Sequence, residues 1–189
     1  MVTIELAPPG ARTEACLRLA RNLDDGFNEG GLETMAADLP EQRTVVAIDD
    51  GNGGDGESDG RTREDGDGDD RGGDDGDEDD GTPDDGDVAG FVSIDEHGPK
   101  VSELGWFAVR DDRQGEGIGT RLLAAVYDDR RAADVELLTV KTLADTVEDE
   151  NYARTRAFYE KEGFLHVETI DPFPGWDPGN PCAIYVKPL

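Results

Sequence analysis

Lysine and cysteine are scarce in this sequence, and long apolar runs are missing from it. Four lysines stand against fourteen arginines, and 46 acidic side chains outnumber 18 basic ones in 189 residues, for a formal net charge of -28. Without a basic patch to displace counterions from phosphates, non-specific binding of nucleic acid is not expected. No stretch is apolar for long enough to span a bilayer, and the opening M-V-T-I-E-L-A-P-P-G has neither a cationic start nor a signal-type apolar core. A soluble, cytoplasmic protein with no membrane partner is the expectation. Cys16 and Cys182 fit no metal or redox spacing. Two buried thiols in a reducing compartment are expected, with no disulfide and no metal site.

The acidic excess is uneven. Between Asp49 and Asp87 lie 19 acids, 3 arginines and 12 glycines, with no aliphatic, aromatic, Cys or Met side chain. Such a stretch cannot bury apolar surface and repels itself, so the chain reads as one domain over 1–189 with a disordered Asp/Gly-rich loop insert at 49–87. Asp67, Asp69, Gly72 and Glu78 occupy places one, three, six and twelve of a calcium-binding loop, but Arg71 stands at the fifth place and no apolar helix flanks the segment. Diffuse cation association is expected there, not selective calcium binding. Because molar salt shortens the screening length to roughly 3 Å, an excess of this size suits a salt-rich, halophile-type cytosol.

Outside the insert, apolar periodicity predicts an order of elements. Strands are expected at 2–6, 44–48, 88–94, 101–109, 135–142, 164–168 and 183–187, and helices at 11–23, 32–39, 118–131 and around 155–161. Mixing hairpins with helical crossovers, this order predicts an α/β fold with a mixed sheet, the insert lying in a hairpin between the second and third strands. Strand alternation places Glu103, Gly105, Phe107 and Val109 on one face.

The informative segment is V-R-D-D-R-Q-G-E-G-I-G-T-R-L-L over 109–123, where a strand ends, Gly115, Gly117 and Gly119 follow, and an amphipathic helix begins. Bare amides at a helix start attract anions, and glycines let a diphosphate approach them. The Lys-Ser/Thr ending of a Walker A loop is absent and the spacing is not G-x-G-x-x-G. Paired with R-A-F-Y-E-K-E-G-F over 156–164, the Gln114-x-x-Gly117-x-Gly119 pattern resembles the GNAT superfamily of acetyl-CoA-dependent N-acetyltransferases, strongly so over 101–167.

The resemblance implies the GNAT fold: a mixed, mostly antiparallel sheet splayed between its fourth and fifth strands and flanked by helices. It implies acetyl-CoA as cosubstrate, with the pantetheine arm against Phe107, Ala108 and Val109. The diphosphate would lie on Gln114, Gly115, Glu116, Gly117, Ile118, Gly119 and Thr120, with Arg113 and Arg121 as charge partners. A carboxylate at Glu116 would weaken affinity at low ionic strength. Tyr159 matches the family tyrosine that protonates the leaving thiolate, Glu103 a carboxylate that deprotonates the amine, and the Val109 amide an oxyanion donor. Asn151 resembles a CoA-contacting asparagine, displaced by one place from the usual interval. Trp106, Phe173 and Trp176 are candidates for an acceptor pocket, with the rigid loop 171–181 as one wall. The implied reaction is acetyl transfer to an amine of a small molecule or a protein by direct attack in a ternary complex. Acidic surroundings favour a cationic acceptor, through steering that salt screens. A catalytically weak CoA sensor or scaffold, or use of another acyl-CoA, are the alternatives, and a homodimer through a sheet edge is compatible with the family.

Overall fold

The computed structural model describes residues 1–24, 26–49 and 87–189. The expected disorder of the insert and its partial calcium-loop match at Asp67, Asp69, Arg71, Gly72 and Glu78 lie outside the described residues. Among the described residues seven strands, β1 (Val2–Ala7), β2 (Arg43–Asp49), β3 (Asp87–Gly98), β4 (Val101–Val109), β5 (Leu137–Leu143), β6 (Leu165–Ile170) and β7 (Cys182–Pro188), form one sheet in the order β1-β2-β3-β4-β5-β7-β6. Every pairing is antiparallel except β4 with β5, so the α/β mixed-sheet expectation holds. Asp49 and Asp87, the residues bounding the insert, are the last pair of the β2–β3 ladder.

Among the described residues four helices cover the sheet: α1 (Thr13–Arg21), α2 (Glu29–Asp38), α3 (Ile118–Ala132) and α4 (Glu150–Lys161). α1 and α2 share an apolar cluster with Val46, Val88, Phe91 and Ala108 on one face. Ile118, Leu122, Leu123 and Val126 of α3 and Tyr159 of α4 pack with Val45, Val92, Ile94 and Leu104 on the other. Two helices start earlier than apolar periodicity indicates, because polar caps set their first turns. Asn28 accepts from the Gly31 amide at 2.7 Å and opens α2 at Glu29; Asp149 accepts from the Asn151 and Tyr152 amides at 2.9 and 3.0 Å and opens α4 at Glu150. Among the described residues no helix is long and apolar enough to cross a membrane.

Candidate active site

β4 and β5 pair only from Val101 to Leu104 against Leu137 to Val140, and beyond those residues they part. The result is a fork in the sheet at the ends of the two strands. The Arg110 amide donates to Ala89 O at 2.9 Å, and Ala108 stands opposite Phe91. Since amides alternate sides along a strand, Ala108 and Arg110 turn their N–H groups toward β3, while Phe107 and Val109 turn theirs into the fork. Of the three residues expected to meet a pantetheine arm, Phe107 and Val109 turn their amides into the fork on this geometry, while the Val109 carbonyl already accepts from Gln114 Nε2 at 3.3 Å. Ala108 is a correction, because its backbone is directed into the β3–β4 ladder.

A second correction concerns faces. The β3–β4 register skips between Val92 opposite Phe107 and Ile94 opposite Leu104, so Gly105 and Trp106 together face Ser93 in a bulge. One extra residue shifts the alternation. Leu104, Phe107 and Val109 therefore lie on the α3/α4 face, whereas Trp106 and Ala108 lie on the α1/α2 face. Glu103, adjacent to Leu104, faces away from α3, and is not on the face of Phe107 and Val109. Ser93 makes the bulge tolerable: its buried hydroxyl accepts from the Trp106 amide at 2.7 Å, and a Cβ at Gly105 would stand 2.7 Å from that oxygen.

On the α3/α4 face the chain leaves β4 through a 3-10 turn at Asp111–Arg113 and enters α3 through the glycine turn. Gly115 and Gly117 have φ of +83° and +77°, values costly for residues with a Cβ, and Gly117 is the N-cap of α3. Among the described residues no side chain caps this helix start, so the amides of its first turn are open to an anion. Ile118 buries its side chain in the core and offers only backbone. Gly119 lies under the Phe158 ring, 3.2 Å from where its Cβ would be. The side chains around the turn are occupied. Gln114 Nε2 donates to Asp111 Oδ1 at 2.9 Å and to Val109 O at 3.3 Å, Thr120 donates to Glu162 at 2.7 Å, and Arg121 donates to Val2 O at 2.7 Å. Arg121 is thus turned toward β1. Arg113 bridges Asp49 and Glu116, while Arg110 bridges Asp87 and Asp112.

Tyr159 is buried in a ring cluster with Phe107, Phe158 and Phe164, at centroid separations of 6.4, 5.6 and 5.4 Å. Burial pushes its hydroxyl well above the ordinary tyrosine range, with the Tyr127 hydroxyl adding to the effect, so it remains a protonated donor. Asn151 occupies the first turn of α4, where its side-chain oxygen accepts from Arg154 of the same helix. Arg156 donates to Leu143 O at 2.8 Å, tying α4 to the end of β5. Beside that tie is a hollow of about 420 Å³ lined by Asp145, Glu148, Asp149 and Arg156.

The opposite face carries a polar group at the crotch of the fork. Glu103 meets Lys141 Nζ at 2.8 Å and His97 Nε2 at 3.0 Å, and Thr139 Oγ1 lies 3.5 Å away. Lys141 sits 5.7 Å from the centroid of Phe173, whose ring meets Trp176 edge-on at 5.3 Å. Phe173, in the loop 171–181, therefore lies over this face. Trp106 is on the same face but is held under α2, with its indole N–H on Asp38 at 3.1 Å and its ring against Phe27. Sequence reasoning missed Lys141 and Ser93. A glycine inside a strand was the available sign of the bulge; nothing local marked Lys141, which meets Glu103 across 38 positions of chain.

A family model described as acetyltransferase (GNAT) domain matches residues 78–165. No curated protein matches the chain. Among solved structures, a GNAT-family protein from Desulfovibrio desulfuricans superimposes with a TM-score of 0.70 at 20% identity, covering 100% of this chain and 99% of that one. The ribosomal-protein-S18-alanine N-acetyltransferase of Escherichia coli gives 0.64 at 17% identity, covering 100% and 94%. A GNAT acetyltransferase from Elizabethkingia anophelis with acetyl-CoA bound gives 0.60 at 16% identity, covering 100% and 98%.

Proposed function

The chain belongs to the GNAT acetyltransferase family and is an acyltransferase, and on that premise we propose that it moves an acetyl group from acetyl-CoA to a primary amine by direct attack in a ternary complex. The observation that carries the reading is the fork between β4 and β5 with the uncapped start of α3 beside it. The open amides from Gly115 to Thr120 receive the diphosphate, and the fork-facing backbone of Phe107 and Val109 pairs with the pantetheine amides. The thioester supplies an activated acyl carbon. The amine approaches it from the face of Glu103, the side not occupied by α3 and α4. Its lone pair forms the C–N bond, the carbonyl oxygen takes up charge near the Val109 amide, and the C–S bond breaks. Glu103, directly or through water, removes the ammonium proton, and Tyr159 returns one to the leaving thiolate.

The acidic insert and surface suit a salt-rich cytosol, and a melting temperature that rises along a KCl series is the expected result. Turnover tests the central reading. With acetyl-CoA and a panel of amines in molar KCl, thiol release is expected, and Tyr159→Phe should lower kcat with little change in the CoA dissociation constant. Tight CoA binding without thiol release from any amine would favour a sensor. Release only from a longer acyl-CoA would change the acyl group.

A further inference from the structure

We propose that the amine acceptor also carries a carboxylate, held by Lys141, so that the acceptors are amino acids or amines of that zwitterionic type; this rests on the transferase reading above. The polar group at the crotch is layered. Side-chain exposure is 12% for Glu103 and 31% for Lys141, so the ammonium is the outer member of the pair. An acceptor entering this face meets a cation beside an aromatic ring before it meets the carboxylate. His97, on the far side of Glu103, adds a second nitrogen at 3.0 Å.

A simple cationic amine fits this arrangement poorly. To reach Glu103 it must displace Lys141 from a contact of 2.8 Å, bringing two ammonium groups together. An acceptor with a carboxylate near its amine does the reverse. Its carboxylate adds to Lys141, which has three N–H donors and can keep a bond to Glu103. Its ammonium is then led toward Glu103, at the mouth of the fork. Phe173, 5.7 Å from Lys141, and Trp176 supply an apolar wall for the acceptor's side chain. Direct contacts that are partly buried are screened by salt far less than long-range steering. The recognition therefore survives in brine, where the general attraction of an acidic protein for cations does not.

The test uses matched acceptors differing by one carboxylate: phenylalanine against 2-phenylethylamine, and lysine against cadaverine. Each is assayed by thiol release at saturating acetyl-CoA in molar KCl, on the full chain. The carboxylated member of each pair should have at least a tenfold higher kcat/KM. Lys141→Met should erase that preference by raising KM for the carboxylated member, and Lys141→Arg should retain it. CoA titration should be unchanged in both variants, which confirms their fold. Because Lys141→Met leaves Glu103 without its cation, Lys141→Met/Glu103→Gln is the control: it should also show no carboxylate preference, at a lower overall rate. Faster turnover of the decarboxylated amines, or a preference that persists in Lys141→Met and in Lys141→Met/Glu103→Gln, overturns the assignment while leaving the transferase standing. Thiol release with no amine of either kind overturns both.

Discussion

The two faces of the fork are built from different materials. On the α3/α4 side the site is made almost wholly of backbone: the turn at Gly115 and Gly117, the bare amides of α3, and the fork-facing amides of Phe107 and Val109. The other side is made of side chains, Glu103, Lys141 and His97 with Phe173 beside them. Backbone presents the same groups whatever residues carry it, provided the conformation is kept. A site of side chains changes with each substitution. One surface suits a ligand common to many reactions, and the other a ligand that differs from enzyme to enzyme.

The sharpest way to break this contrast is to attack conformation on one side and chemistry on the other. Gly117→Val places a β-branched residue at φ +77°, a backbone conformation such a residue rarely adopts. A turn that relaxes to escape the left-handed strain misplaces its amides, and loss of a charge-assisted hydrogen bond of about 1.5–3 kcal/mol predicts CoA binding weakened by roughly tenfold to a hundredfold. Calorimetry should register that loss, whereas Lys141→Met should leave the heat of CoA binding unchanged. Equal losses in the two variants would mean that the faces are not separable.

Ser93→Ala probes the bulge that sets the two faces. Removing the hydroxyl leaves the Trp106 amide without its acceptor in a buried place, at a cost of about 1–3 kcal/mol. For a domain of this size, the melting temperature should fall by a few degrees per kcal/mol. The variant should also raise KM for the acceptor more than for acetyl-CoA, because the bulge fixes the direction of Glu103. A fall in stability with both constants unaltered would show that the bulge is only architectural.

The difference in materials also explains what could be read from the chain. The glycine turn leaves a mark in sequence, since only residues without a Cβ sit easily at positive φ next to an approaching ligand, and the element order follows from local periodicity. The seven strands and the mixed sheet were legible in that way, whereas the fork was expected only through the family resemblance that the glycine turn and the 156–164 string carry. The face of Glu103 and Lys141 was not legible. Its composition depends on a one-residue shift near Gly105 and on the register that brings Lys141 to Glu103 and Phe173 to Lys141. Alternation counted straight along β4 put Glu103 with Phe107; a bulge reverses that result, and local pattern does not count bulges. Likewise Asn28 and Asp149 start their helices by capping, which apolar periodicity does not register.

A smaller effect is expected where side chains intrude on the backbone-built face. Arg113, a natural partner for a phosphate, is engaged by Asp49 and Glu116, and Arg110 nearby by Asp87 and Asp112. On the proposed reading, an incoming diphosphate would meet four carboxylates around two arginines. Phosphate binders ordinarily lose affinity as salt rises, but here salt also screens the repulsion from those acids. Asp49→Asn should free Arg113 and tighten CoA binding severalfold in dilute buffer, with little gain in molar KCl. The native protein should accordingly show a flatter dependence of its CoA dissociation constant on KCl than the variant. A steep native loss of affinity with salt, matching that of Asp49→Asn, would remove the acids from the account.

The smallest effect reports on the side-chain face from within. Cys182 is fully buried, opposite Leu143 on β5, and burial pushes its thiol up to about 11, with Lys141 lowering it and Glu103 raising it. A thiol that stays neutral when folded but ionises near 9.0 when unfolded contributes stability that is complete below pH 9.0 and is lost as pH rises toward about 11. Comparing thermal unfolding of the native protein with Cys182→Ala over that range isolates this slope from the titration of tyrosines. Because Lys141 and Glu103 act on the thiol in opposite senses, Lys141→Met should carry the loss to higher pH and Glu103→Gln should bring it lower. If both variants moved it the same way, the thiol would be responding to general loosening of the fork and not to the two charges at its crotch.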